Sequence, residues 1–274
     1  MIPLRLSILG HPQRLAVFRL LMRRYPDQVP AGEISAALGI KASTLSSYLS
    51  ALMQADLVTK TRAGTWLRYQ VNMATTRETL DSLFLDCCRG RPDLCTSYQP
   101  FAIPEEPQRA DRKYNVLFIC TGNSARSIFA EAILKSKGQD RFQVFSAGTQ
   151  PQSNLNPIAV EMLKAKGHDI SALRSKNVEE FIGEGAPEFD FVFTVCDQAA
   201  NEECPTWDGQ PISAHWGMPD PVKATGTDAE KSLAFHQAYG VLSHRLQGFA
   251  ALPIEQLDQI SLQSAVDEIA RTPE

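Results

Sequence analysis

The stretch Tyr114-Asn115-Val116-Leu117-Phe118-Ile119-Cys120-Thr121-Gly122-Asn123-Ser124-Ala125-Arg126-Ser127 decides the reading of this chain. Its first six residues are almost wholly apolar, as a parallel strand buried on both faces requires. The next seven, Cys120 to Arg126, form a short polar loop. From Ser127 to about Lys137 the spacing predicts a helix. A loop between a buried strand and a helix N-terminus gathers backbone N–H groups and the positive end of the helix dipole, which suits a tetrahedral oxyanion. Gly122 and Asn123 tolerate the left-handed angles such a nest needs. Arg126 offers a planar fork for two oxyanion oxygens. Cys120 is the nucleophile, with its pKa expected to fall in that positive environment and with Ser127 donating to its thiolate. The oxyanion-binding residues are therefore Thr121, Gly122, Asn123, Ser124, Ala125, Arg126 and Ser127.

Working outward toward the C-terminus, strands are predicted at 143–146 and 190–195. Helices are predicted at 157–166, 229–248 and 254–270. Strands alternating with helices give an α/β domain with a parallel sheet, and its ligand loop lies at the carboxyl end of a strand. Working toward the N-terminus, residues 96–112 hold Pro100, Pro104 and Pro107 and few core residues, and read as a linker. Before it, helical spacing runs from Pro12 to Arg24 through Leu15, Phe18 and Leu21 or Met22. Tyr25 to Pro30 reads as a turn. Ala31–Leu38 is a short helix stopped by Gly39, and a second helix, capped by Ser43, runs to about Ala55. Residues 57–71 form a hairpin with Gly64 near its tip, and a further helix spans Thr76 to Arg89. Two helices, a tight turn and a following hairpin make an α+β winged helix-turn-helix domain. The domains are thus 1–95, a linker at 96–112, and 113–274.

Bulk properties agree with two globular domains. Of the 274 residues, 43% are hydrophobic and 21% charged, which excludes a disordered chain. No apolar run is long enough for a membrane span and the start does not read as a signal peptide, so a cytoplasmic setting with no membrane partner is expected. The net charge of −4 is unevenly spread. Residues 1–95 carry 12 Lys and Arg against 7 Asp and Glu, whereas residues 113–274 carry 13 against 21. Only the first domain has the charge expected of a nucleic-acid partner. In that domain the helix after the turn presents Ser43, Thr44, Ser46, Ser47 and Tyr48 at the end that meets base edges, and Lys41, Lys60, Arg62 and Arg68 are candidates for phosphates of operator DNA.

Six cysteines fall in two groups of three, Cys87, Cys88 and Cys95 before the linker and Cys120, Cys196 and Cys204 after it. In a reducing compartment such clusters point to metal binding or redox chemistry. On a continuous helix Cys88 and Cys95 would stand about 10 Å apart. Gly90 and Pro92 break the helix, so the chain can fold back. Three thiolates suit a thiophilic centre: arsenite or antimonite, with Zn²⁺ as an alternative.

Residues 114–250 resemble the low-molecular-weight protein tyrosine phosphatase family, and within it the arsenate reductase branch. The resemblance rests on the Cys120–Ser127 loop, Ser146-Ala147-Gly148-Thr149 and the Asp220-Pro221 pair. It implies flavodoxin-like topology and Asp220 as general acid. The branch rests on Cys196 with Glu203-Cys204-Pro205, on His215-Trp216-Gly217, and on Val222 and Lys223 where the phosphatases usually carry aromatics. It implies arsenate as substrate, a redox relay through Cys196 and Cys204, thioredoxin or a glutaredoxin-type protein as reductant, and no cofactor for catalysis. Ala125 stands where many relatives have a second cysteine. Residues 1–95 resemble the ArsR/SmtB metalloregulatory repressors through Gly10-His11-Pro12-Gln13-Arg14-Leu15, the helix-turn-helix and the wing. That resemblance implies a homodimer through the N-terminal domain and release from DNA by arsenite or antimonite. Two alternatives stay open: a regulator fused to a phosphatase, and a pure regulator whose second domain only binds an oxyanion.

Overall fold

In the computed structural model the described residues are 1–64, 66–87, 112–138, 140–202, 207 and 209–271. The chain divides into two compact units, Met1–Gln108 and Arg109–Glu274. The linker read at 96–112 lies outside the described residues except for Arg112.

The first unit runs α1 (Ile2–Leu9), α2 (Pro12–Arg23), β1 (Val29–Pro30), α3 (Ala31–Leu38), α4 (Ala42–Gln54), β2 (Val58–Ala63), β3 (Trp66–Val71) and α5 (Met73–Asp81). Gly39 ends α3 at φ +63°, the left-handed stop expected of it. The turn predicted at 25–30 contains a strand, because Val29 and Pro30 pair with Tyr69 and Arg68. The resulting antiparallel sheet has the order β1-β3-β2. The buried face of α2 is Val17, Leu20 and Leu21, with Phe18 half-buried and Leu15 exposed, so the predicted stripe is rotated. The helix wedges against α4 and β3, and that crossing selects the face. Ser43 is not the cap of α4: the helix starts at Ala42, Lys41 holds the cap position, and Ser43 lies inside the first turn. The later helix starts earlier than predicted, where the Asn72 side chain accepts the Thr75 N–H. Its last turns, Ser82–Cys87, are π-helical. Arg5, on the unforeseen α1, is buried and ties that helix to the Ala55 carbonyl and to Glu78 (2.8 Å).

The second unit runs β4 (Tyr114–Cys120), α6 (Arg126–Lys137), β5 (Phe142–Gly148), α7 (Pro157–Ala165), β6 (Phe191–Thr194), α8 (Asp197–Asn201), β7 (Ile212–His215), α9 (Asp228–Ala250) and α10 (Gln259–Arg271). Its four strands are parallel in the order β5-β4-β6-β7. That is the flavodoxin-like arrangement, whose order reverses at its first strand, here β4. Two elements escape the sequence patterns. Strand β7 is only four residues long, and α8 is a single turn and a half. The helix predicted from Ile254 is a 3₁₀ turn at Ile254–Gln256, and α10 begins only at Gln259. There Asp258 accepts the Ser261 N–H and hydroxyl at 2.9 and 2.8 Å.

The core is aromatic around β6. Phe193 stacks on Trp216 with centroids 4.3 Å apart, and Phe118 and Phe249 close the cluster. Helix α6 is buried at every position from Arg126 to Leu134. It is enclosed on all sides, and this anchors the loop that precedes it.

Candidate active site

The loop 121–125 ends β4 and opens α6, so its two ends are held by a central strand and an enclosed helix. A second loop braces it. The N–H groups of Thr149, Gln150, Gln152 and Asn156 bind the carbonyls of Cys120 (3.1 Å), Thr121 (2.9 Å), Gly122 (2.9 Å) and Ser124 (3.0 Å). In a trans peptide the C=O and the following N–H point in opposite directions. Tying these carbonyls outward therefore turns the N–H groups of Thr121, Gly122, Asn123 and Ala125 toward the loop's interior. Asn123 N–H reaches Cys120 Sγ at 3.1 Å. Asn123 itself adopts φ +42°. A methyl group on Gly148 would stand 2.6 Å from the Thr121 carbonyl oxygen, so only glycine lets the two loops close.

Behind the loop lies a buried polar network that the sequence reading missed. Asn123 Nδ2 donates to Ser127 Oγ (2.8 Å) and Ser146 Oγ (2.9 Å), and its Oδ1 accepts the Lys176 N–H (2.7 Å). Ser146 Oγ donates to Glu131 Oε2 (2.5 Å). Glu131, itself buried, pairs with Lys176 at 3.0 Å and Lys135 at 2.6 Å. A polar residue inside an otherwise apolar helix was the available signal: Glu131 sits in mid-α6, where burial without a partner would be costly.

Cys120 Sγ lies 2.9 Å from Ser127 Oγ. Its pKa is raised, contrary to expectation. Burial is the leading cause, and the neighbouring Cys196 thiol adds to it; Ser127 and Arg126 act in the opposite direction but do not prevail. Desolvation wins because Cys120 is only 3% exposed, and Ser127 and Arg126 do not compensate. Cys196 Sγ stands 3.4 Å from Thr121 Oγ1 and accepts the Ala199 N–H at 3.4 Å, at the start of α8. The structure thus brings Cys120 and Cys196 together. Cys204 lies outside the described residues. Arg126 Nη2 is 2.7 Å from Asp220 Oδ2, and its Nη1 donates to the Met218 carbonyl at 3.2 Å. Cys120, Arg126 and Asp220 line one open cleft of about 550 Å³, whose far wall is Gln152–Pro157 and whose rim includes Val222 and Lys223. His215 is buried between Thr194 Oγ1 (2.8 Å) and Asp197 Oδ1 (3.1 Å), so it spans the ends of β6 and β7 and the start of α8.

In the first unit, Lys41, Ser43, Ser46 and Ser47 are exposed at the start of α4, and Lys60, Arg62 and Arg68 are exposed on the hairpin. Thr44 and Tyr48 are half-buried. The Tyr48 hydroxyl is taken by Gln13 at 2.5 Å. Cys87 is exposed. Cys88 and Cys95 lie outside the described residues.

The family model described as low molecular weight phosphotyrosine protein phosphatase matches residues 115–261. A helix-turn-helix domain model matches residues 9–61. An arsenate reductase of Halalkalibacterium halodurans is 38% identical over 135 residues, 49% of this chain and 94% of its own length. Those of Bacillus licheniformis and Bacillus subtilis are likewise 38% identical, over 50% and 49% of this chain and 96% and 94% of theirs.

Proposed function

The chain belongs to the low molecular weight phosphotyrosine protein phosphatase family, and on that premise we propose that it is an arsenate reductase joined to an arsenite-responsive repressor. The observation that carries the reductase reading is the second thiol. Phosphate-ester hydrolysis needs one nucleophile, an oxyanion loop and an acid. Cys196, held against the same loop through Thr121, has no part in that reaction but fits a reductive one.

The mechanism uses this chain's own groups. The loop amides and Arg126 hold arsenate with Cys120 behind the arsenic. Cys120 thiolate displaces one oxygen, which leaves as water with a proton from Asp220. Cys196 then attacks the Cys120 sulfur. The S–As bond breaks, its electron pair goes to arsenic, and arsenite leaves as a Cys120–Cys196 disulfide forms. Cys204 attacks Cys196 and frees Cys120. A dithiol protein of the thioredoxin or glutaredoxin type reduces Cys196–Cys204. No metal or nucleotide is required by these steps, and thiols kept reduced in a cytoplasm suit them.

In the N-terminal part, the helix-turn-helix domain reads operator DNA through Lys41, Ser43, Thr44, Ser46, Ser47 and Tyr48, with Lys60, Arg62 and Arg68 at phosphates. The assembly is a homodimer through this domain, and Cys87, Cys88 and Cys95 bind the product arsenite, or antimonite. The exposed residues on α4 and on the hairpin support this reading. The test is arsenate turnover with thioredoxin and with glutaredoxin, run beside hydrolysis of p-nitrophenyl phosphate. Cys196→Ser should stop repeated arsenate turnover and spare ester hydrolysis. Efficient ester hydrolysis with no arsenate reduction would make the protein a phosphatase.

A further inference from the structure

The wing carries a feature the DNA reading above does not use. Trp66, at the outer end of β3, is 69% exposed, and Leu67 beside it is 44% exposed. The pairing register separates the two. Ala63↔Trp66, Thr61↔Arg68 and Thr59↔Gln70 share one face, and Arg62↔Leu67, Lys60↔Tyr69 and Val58↔Val71 share the other. Val58, Tyr69 and Val71 are buried, so the second face lies on the core at its inner end. Trp66 is on the opposite, solvent face, and no small adjustment of side chains would bring it to the core. The tip therefore shows water an indole on one side and a leucine on the other. Lys60, Arg62 and Arg68 flank them, and β2 and β3 contain no carboxylate.

We propose that Trp66 is a minor-groove contact, its indole lying against the groove's floor at A·T pairs while Arg68 on the same face meets phosphate. The inference rests on the reading of the first unit as DNA-binding. Three observations carry it. An apolar tip ringed by cations matches the apolar wedges by which proteins enter the minor groove. Charge selects a polyanion as the occupant. The indole has a donor and no acceptor, and the floor of the minor groove at A·T pairs offers only acceptors, whereas G·C adds an amino donor that would oppose it.

The test uses the full chain and two end-labelled duplexes of equal length, alternating dA–dT and alternating dG–dC, in anisotropy titrations at several salt concentrations. The wild type should prefer the dA–dT duplex. Trp66→Ala should bind it roughly tenfold more weakly, with the salt slope unchanged, because a neutral ring displaces no counterion. Arg68→Gln should lower that slope by about 1. Trp66→Phe should keep part of the affinity and lose the A·T preference. With Trp66 so exposed, none of these changes bears on folding. Equal affinity of Trp66→Ala and the wild type would overturn the proposal and leave DNA binding by the unit intact. A change in sedimentation without a change in affinity would also overturn it, placing the ring against a second copy of the chain. Failure of the wild type to bind either duplex would remove the DNA reading itself.

Discussion

At Cys120, hydrogen bonds from Ser127 and the charge of Arg126 compete with burial, and burial prevails. For the nucleophile proposed above, the thiolate fraction then grows as pH rises, so the first step of turnover should accelerate with pH. The two neighbours act with opposite signs. Removing the Ser127 hydroxyl takes away a donor that favours the thiolate, so Ser127→Ala should move the pH profile of Cys120 alkylation by iodoacetamide upward. Cys196→Ala should move it downward, since Cys196 raises the pKa. The reverse order would refute this balance. The same shift bears on stability. A folded thiol that holds its proton above the unfolded value favours the folded state below the unfolded pKa, about 8.5. That contribution is lost as pH climbs through the folded pKa. Cys120→Ser should abolish arsenate reduction, because a serine hydroxyl is hardly ionised near neutral pH.

The loop is one half of a pair of elements, and its shape depends on Gly148 and on the network behind α6. Gly148→Ala forces a methyl group onto the Thr121 carbonyl. It should cost about 1–3 kcal/mol of stability in urea unfolding. It should also raise the inhibition constant for inorganic phosphate, a competitor for the same amides. An unchanged constant would show that the second loop does not shape the first. Glu131→Gln leaves Lys176 buried without its carboxylate. Breaking such a pair costs about 3–5 kcal/mol. The loss of stability should exceed that of Glu255→Gln, whose partner Arg141 is a third exposed. Similar losses for both would mean that the buried network contributes nothing beyond a surface ion pair.

At the scale of the whole molecule, a helix-turn-helix domain and an arsenate-reductase-like domain share one chain. If the product of one is the signal of the other, the two cysteine groups have separate tasks. Cys95→Ser should leave operator affinity unchanged and raise the arsenite concentration that releases DNA, since two thiolates chelate arsenic less well than three. Cys120→Ser should end reduction and leave that titration unmoved. Anisotropy of a labelled operator measures both. If Cys87, Cys88 and Cys95 variants all release DNA at the wild-type concentration, the sensing site lies elsewhere.

The oxyanion loop, its strand and the two-part organisation were readable in the sequence because each is a local pattern. An apolar run makes β4, Gly39 stops a helix in the left-handed region, and a hairpin carries Gly64 at its turn. Local pattern also named Cys120 and Arg126, the family resemblance pointed to Asp220, and the structure lines one cleft with all three. What depended on distant partners was not readable. The buried face of α2 was chosen by α4 and β3, and β7, Ile-Ser-Ala-His, lacks the apolar run that marks the equally short β6. The carbonyls of the loop are turned outward by residues about 30 positions later in the chain. The direction of the Cys120 shift was misjudged for the same reason. Sequence shows the charges near a sulfur, whereas desolvation is set by how completely the rest of the domain excludes water from it.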